Sequence, residues 1–129
     1  MREFEAHILV VDDDKAIRNI SKAMLETYGY RVLLAKDGKE AVSFLVNPRV
    51  SINLAVVDLE MPVMDGNQTI SHIRDVSPDM PVVAMSGLEI ERTRPSLSDK
   101  INKESFLLKP LETSALLNTV YNSLYDELT

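Results

Sequence analysis

At 129 residues, with 45% hydrophobic and 26% charged side chains, the chain has the makings of one globular domain spanning 1–129, large enough for a single core and too small for two. A net charge of -6 excludes the clustered basic excess of a nucleic-acid footprint, and the lack of cysteine excludes disulfides, thiolate zinc sites and a cysteine nucleophile. MREFEAH at the start lacks a signal peptide's hydrophobic core and no apolar run approaches the roughly 20 residues that span a bilayer, so a cytoplasmic chain with no membrane partner is expected.

HILVV at 7 to 11 is a continuous apolar run, the mark of a strand buried on both faces of a parallel sheet, and it ends at Asp12, Asp13 and Asp14. Asp14 suits the cap of a helix that turns Ile17, Ile20, Met24, Leu25 and Tyr28 to one face and stops at Gly29. A strand is predicted over 30–35, and Asp37-Gly38 turns the chain into a helix carrying Ala41, Val42, Phe44 and Leu45, ended by Asn47-Pro48. Leu54 to Val57 form the central buried strand, with Asp58 at its carboxyl end; Pro62 and Asp65-Gly66 then force a loop. Asn67 is the predicted cap of a helix with Ile70, Ile73 and Val76 inward, closed by Ser77-Pro78.

The fourth apolar run, PVVAM at 81 to 85, ends at Ser86-Gly87. Residues 88 to 104 carry Pro95 in a polar context and predict a short or broken helix. Phe106 to Leu108 form a brief fifth strand before Lys109-Pro110, and Leu116, Leu117, Val120, Tyr121, Leu124 and Leu128 share one face of a final helix. Alternation of this kind predicts an α/β fold: a doubly wound, five-stranded parallel sheet with helices on both faces and right-handed crossovers.

Four strands thus end on a functional group: Asp12 and Asp13, Asp58, Ser86, and Lys109. Parallel strands present their carboxyl ends along one edge, so these groups converge if their strands are neighbours. Crowded carboxylates resist ionising together unless a cation neutralises them, and an all-oxygen set suits magnesium. Asp14 is assigned to the helix cap, Asp12 and Asp13 to the metal. A calcium loop fails, since counting from Asp12 puts Ala16 at a ligand position and Ile17 at the turn glycine. Taken singly, Asp58 is equally a turn cap, Ser86 a strand terminator and Lys109 a surface lysine. Taken together they suit a phosphoryl group, with a carboxylate attacking phosphorus while magnesium and a lysine neutralise the other oxygens.

ILVVDDD at 8 to 14, DGKEA at 37 to 41, VVDLEMPVMDG at 56 to 66, PVVAMSG at 81 to 87 and LLKP at 107 to 110 stand in the order found in receiver domains of two-component response regulators, and the chain resembles that family over nearly its whole length. The resemblance implies a flavodoxin-like (βα)5 sheet of strand order 2-1-3-4-5. It implies that Asp58 accepts a phosphoryl group from a histidine kinase or a histidine phosphotransfer protein, the chain catalysing only its own phosphorylation and dephosphorylation. Asp13 and Asp58 would ligate magnesium, for which manganese can substitute, with Asp12 acting largely through water and the Glu60 carbonyl completing the protein ligands. Lys109 would pair with the phosphoryl group through its ammonium, and its peptide bond to Pro110 would be cis, as family members often have it. Ser86 and Phe106 would be the switch pair, remodelling the surface of the fourth helix, fifth strand and fifth helix for a downstream protein or effector domain. Glu60 and Leu88 would tune phosphoryl lifetime.

Three departures from the family pattern stand out. Phe106 replaces the commoner Tyr, which removes a phenol hydrogen bond; Asn102-Lys103 replaces a small Gly-Ala pair; and Arg92, Arg94 and Pro95 give the fourth-helix region its own character. Rival readings are an interaction-only receiver that is never phosphorylated, disfavoured by the complete residue set, and an aspartate-based phosphatase of the haloacid dehalogenase type, whose motif wants Thr or Val where Ala16 stands. These 129 residues are expected to encode no effector output, which leaves a stand-alone regulator and a receiver from a longer protein both open.

Overall fold

Apolar runs without alternation build the sheet at the centre of the computed structural model, which describes residues 6–61, 66–87, 106–109 and 112–125. Its strands are β1 (His7–Val11), β2 (Arg31–Ala35), β3 (Leu54–Asp58), β4 (Val82–Ser86) and β5 (Phe106–Leu108). They lie in the order β2-β1-β3-β4-β5 with every neighbouring pair parallel, the doubly wound arrangement expected. The described helices are α1 (Lys15–Thr27), α2 (Gly38–Leu45), α3 (Gly66–Val76) and α4 (Thr113–Tyr125).

Side chains alternate across a strand, so a run apolar at every position must be covered on both sides. One face presents Ile8, Val10, Leu54, Val56, Val83 and Met85 to Leu25 of α1 and Leu116 and Val120 of α4. The other presents Leu9, Val11, Ala55, Val57 and Ala84 to Ala41 of α2 and Ile70 and Ile73 of α3. Every residue of β3 and β4 is buried, which puts the ends of the two central strands on a rigid base. Each Val, Leu or Ile so enclosed stabilises the fold by about 1.5–3 kcal/mol before entropy is counted.

Local signals set the helix ends. Asp14 accepts from the amides of Ala16 (2.9 Å) and Ile17 (3.4 Å), as its capping role requires. Gly29, at φ 94°, takes the left-handed conformation that lets the chain leave α1, its amide donating to the Glu26 carbonyl at 3.0 Å. Asp37 caps α2 by accepting from the Glu40 amide at 2.8 Å. Among the described residues no helix is long and apolar enough to cross a membrane.

Several expectations need correction. The inward stripe of α1 centres on Ser21 and Leu25, so Ile20 falls about 120° away in the helical wheel and is exposed. Tyr28 is the C-cap, outside the helical repeat, and is also exposed. Tyr121 lies off the stripe of Leu116 and Val120, and Val76 sits at the exposed last turn of α3. Strand β2 begins at Arg31, and β4 runs one residue further than expected to include Ser86.

Asn67 is not the cap of α3, because the helix already starts at Gly66. The reason is packing. A Cβ on Gly66 would lie 2.5 Å from the Asp58 carbonyl oxygen, 2.7 Å from Leu59 Cδ2 and closer still to Leu59 Cα. Only glycine lets α3 start hard against the end of β3, and its amide donates there to the Leu59 carbonyl at 3.2 Å. The predicted broken helix over 88–104, and Leu128, lie outside the described residues.

Candidate functional site

Register carries the functional groups to one edge. Val11 pairs with Val57, Asp58 with Met85 and Ser86 with Leu108, so the residues that close β1, β3, β4 and β5 stand side by side. One ligand oxygen from each of Asp12, Asp13 and Asp58 lies within 4.8 Å of the others; Asp12 and Asp58 are buried and Asp13 is exposed. Lys109, held by its amide's 2.9 Å bond to the Ser86 carbonyl, places Nζ 2.9 Å from Asp58 Oδ1 and 3.7 Å from Asp12 Oδ2.

The backbone fixes these carboxylates further. Asp12 Oδ1 accepts from the Asp14 amide at 2.8 Å, so capping by Asp14 and orientation of Asp12 come from one tight turn. Arg18 of α1 donates to the Asp12 carbonyl at 2.7 Å. Asp58 Oδ1 accepts from the Glu60 amide at 3.1 Å.

Electrostatics follow from the crowding. The Asp12 carboxyl is raised from 3.8 to about 6: burial is the largest cause, the bond from the Asp14 amide opposes it, and the Asp58 charge adds to it. Burial also pulls the Lys109 ammonium down, but its hydrogen bond to Asp58 and the charges of Asp58, Asp12 and Glu60 outweigh that, and the net direction is up. Lysine therefore stays charged beside the carboxylates. It does not neutralise all three.

Asp12 Oδ2 is buried and has no hydrogen-bond partner among the described residues, only the 3.7 Å approach of Lys109. An orphaned carboxylate oxygen in an all-oxygen cluster fits a hard divalent cation, the donor set that Asp12, Asp13 and Asp58 would offer.

Ser86 is buried at the end of β4, but its hydroxyl donates to Glu60 Oε2, while Glu60 Oε1 accepts from the Gly87 amide at 3.0 Å. The sequence points to Glu60 through its carbonyl and as a position that tunes phosphoryl lifetime, but not to this contact of its side chain with the end of β4. The contact spans 26 residues, and no local signal could reveal it. The backbone of Phe106 opens β5, whereas its side chain, Leu88, Asn102-Lys103 and the bond to Pro110 lie outside the described residues. A separate cavity of about 720 Å³, lined in part by His7, Tyr30, Arg31 and Arg49, opens elsewhere on the surface and shares no residue with the carboxylate site.

A family model described as the response regulator receiver domain matches residues 8–121. Among curated proteins the chain is 33% identical over 115 residues to response regulator MprA of Mycobacterium sp. (strain KMS), covering 85% of this chain and 46% of that one. It is 32% identical over 124 residues to the transcriptional regulatory protein GlrR of Escherichia coli (strain K12), covering 92% of this chain and 26% of the relative. The chain therefore spans less than half the length of these relatives. Among solved structures, a CheY-like receiver domain protein from Methanospirillum hungatei JF-1 superposes with a TM-score of 0.84 at 28% identity, over 95% of this chain and 96% of the other. Chemotaxis protein CheY4 of Vibrio cholerae also gives 0.84, at 25% identity over 94% and 100%. The chain belongs to the response regulator receiver domain family of two-component systems, whose general function is that of a phosphorylation-dependent regulatory switch rather than a classical enzyme.

Proposed function

We propose that residues 1–129 act as one receiver domain that accepts a phosphoryl group on Asp58 from a histidine kinase or histidine phosphotransfer protein in the cytoplasm. The observation that carries this reading is Lys109 Nζ at 2.9 Å from Asp58 Oδ1, beside three clustered carboxylates. An Asp58 carboxylate oxygen attacks phosphorus, the bond from phosphorus to the donor nitrogen breaks, and the donor imidazole leaves with that electron pair. Lys109 is already aimed at the acceptor and neutralises charge on the phosphoryl oxygens. Asp12, Asp13 and Asp58, with the Glu60 carbonyl, would hold magnesium or manganese. When bound, that ion supplies further charge neutralisation at the same oxygens. Attack of water on the acyl phosphate returns Asp58 and releases inorganic phosphate, so the chain acts only on its own phosphoryl group.

Output passes to a downstream protein or effector domain, with Ser86 and Phe106 as the switch pair and the surface of residues 88–104, β5 and the last helix, α4, as the reader's target. Glu60 and Leu88 set the lifetime of the phosphorylated state. Borohydride reduction after labelling with acetyl phosphate tests the acceptor: homoserine should replace Asp58 in the peptide carrying it. Homoserine at another aspartate would overturn the assignment.

A further inference from the structure

The Glu60 carboxylate holds two donors at the end of β4, the Ser86 hydroxyl through Oε2 and the Gly87 amide through Oε1 at 3.0 Å. The Glu60 amide in turn donates to Asp58 Oδ1 at 3.1 Å, so a single residue spans the acceptor carboxylate and the end of the neighbouring strand. Two donors converging on one carboxylate form a small anion receptor, and two oxygens of a phosphoryl group present the same kind of acceptor edge. A serine hydroxyl has one hydrogen to donate. Ser86 can give it to Glu60 or to a phosphoryl oxygen, not to both in full.

We infer that Glu60 is a resident competitor for the phosphoryl group on Asp58: its carboxylate occupies the Ser86 and Gly87 donors in the unphosphorylated protein and must release them before those donors can stabilise the phosphorylated state. The inference rests on Asp58 being the acceptor. It gives the chain a built-in resistance to spurious labelling, since any phosphodonor has to displace an anion already in place. Negative charge from the same residue adds general repulsion of the donor, and the competition is separable from that repulsion because it runs through the Ser86 hydroxyl.

The test follows self-labelling by acetyl phosphate with magnesium in the wild type, Glu60→Gln, Ser86→Ala and the double variant. Glu60→Gln keeps the size of the side chain, loses its charge and one of its two acceptor oxygens, and should label about 5- to 15-fold faster, the difference between a charge-assisted and a neutral hydrogen bond. In the Ser86→Ala background the same change should gain less than about twofold, because most of the competition has gone with the hydroxyl. An equal gain in both backgrounds would assign the effect to charge alone and overturn the inference, as would no gain at all. Failure of the wild type to label removes the acceptor reading itself, and the competitor with it, whereas labelling of the wild type without a gain in Glu60→Gln removes the competitor alone.

Discussion

Lys109 Nζ stands 2.9 Å from Asp58 Oδ1 and reaches only to 3.7 Å from Asp12 Oδ2, so one buried carboxylate is paired and its neighbour is left short of a counter-charge. That inequality runs through the behaviour of the site. Asp58 is paired, and the oxygen of Asp12 that has no hydrogen-bond partner among the described residues marks where added positive charge is most favourable.

Replacing Lys109 with Met keeps much of the side-chain volume and removes the only positive charge within ion-pair distance of Asp58 among the described residues. The metal-free protein should lose about 1–3 kcal/mol of stability, less than for a fully buried pair because Lys109 keeps 23% side-chain exposure. Urea unfolding in the presence of a chelator measures this. Labelling by acetyl phosphate should slow by at least tenfold in the same variant.

Asp12 gives the opposite sign. Its carboxyl rises from 3.8 to about 6 on folding, so the folded state binds this proton more tightly than the unfolded chain does. The stabilising contribution is complete below about pH 4 and is lost as pH rises through about 6. Relative to Asp12→Asn, which keeps an oxygen for the Asp14 amide, metal-free wild type should therefore be less stable at pH 7.5, by at most about 3 kcal/mol, with the gap closing towards pH 4. Unfolding curves at the two pH values decide it, and a variant less stable than wild type at pH 7.5 would contradict the account.

Gly66→Ala tests how α3 backs the site. The new methyl would meet the Asp58 carbonyl oxygen at 2.5 Å and Leu59 Cδ2 at 2.7 Å, forcing apart the helix start and the end of β3. A loss of about 2–4 kcal/mol is expected by urea unfolding. Because the displaced backbone is that of Asp58 itself, labelling should slow as well.

Ser21 faces the core from α1, fully buried, and its hydroxyl finds no hydrogen-bond partner among the described residues. Ser21→Ala removes an unpaired polar group and improves helix propensity, so thermal unfolding should shift upward by the equivalent of about 1 kcal/mol.

What the sequence made legible was what depends on near neighbours along the chain. Apolar runs such as LAVV before Asp58 can only be strands covered on both sides, and the Asp14 cap and Gly29 stop declare themselves within one turn. Parallel alternation then puts Asp12, Asp13, Asp58, Ser86 and Lys109 on one edge of the sheet, while the strand order that makes them neighbours comes from the family resemblance. The misses share a cause in tertiary packing. Periodicity placed Ile20 and Tyr121 inward, but the rotation of each helix is set by what lies beneath it, and small Ser21 rather than Ile20 fits against the sheet. Asp65-Gly66 read as a turn, whereas Gly66 is required by the approach of α3 to Leu59, and the reach of Glu60 to Ser86 joins two strands that no local pattern connects.

The most direct measurement is intact mass after incubation with magnesium and acetyl phosphate, wild type against Asp58→Asn, with and without chelator. The expected result is one added phosphoryl group, dependent on magnesium and absent from the variant. No added mass with any donor, including a phosphorylated histidine kinase, or equal labelling of Asp58→Asn, would contradict the account at its centre.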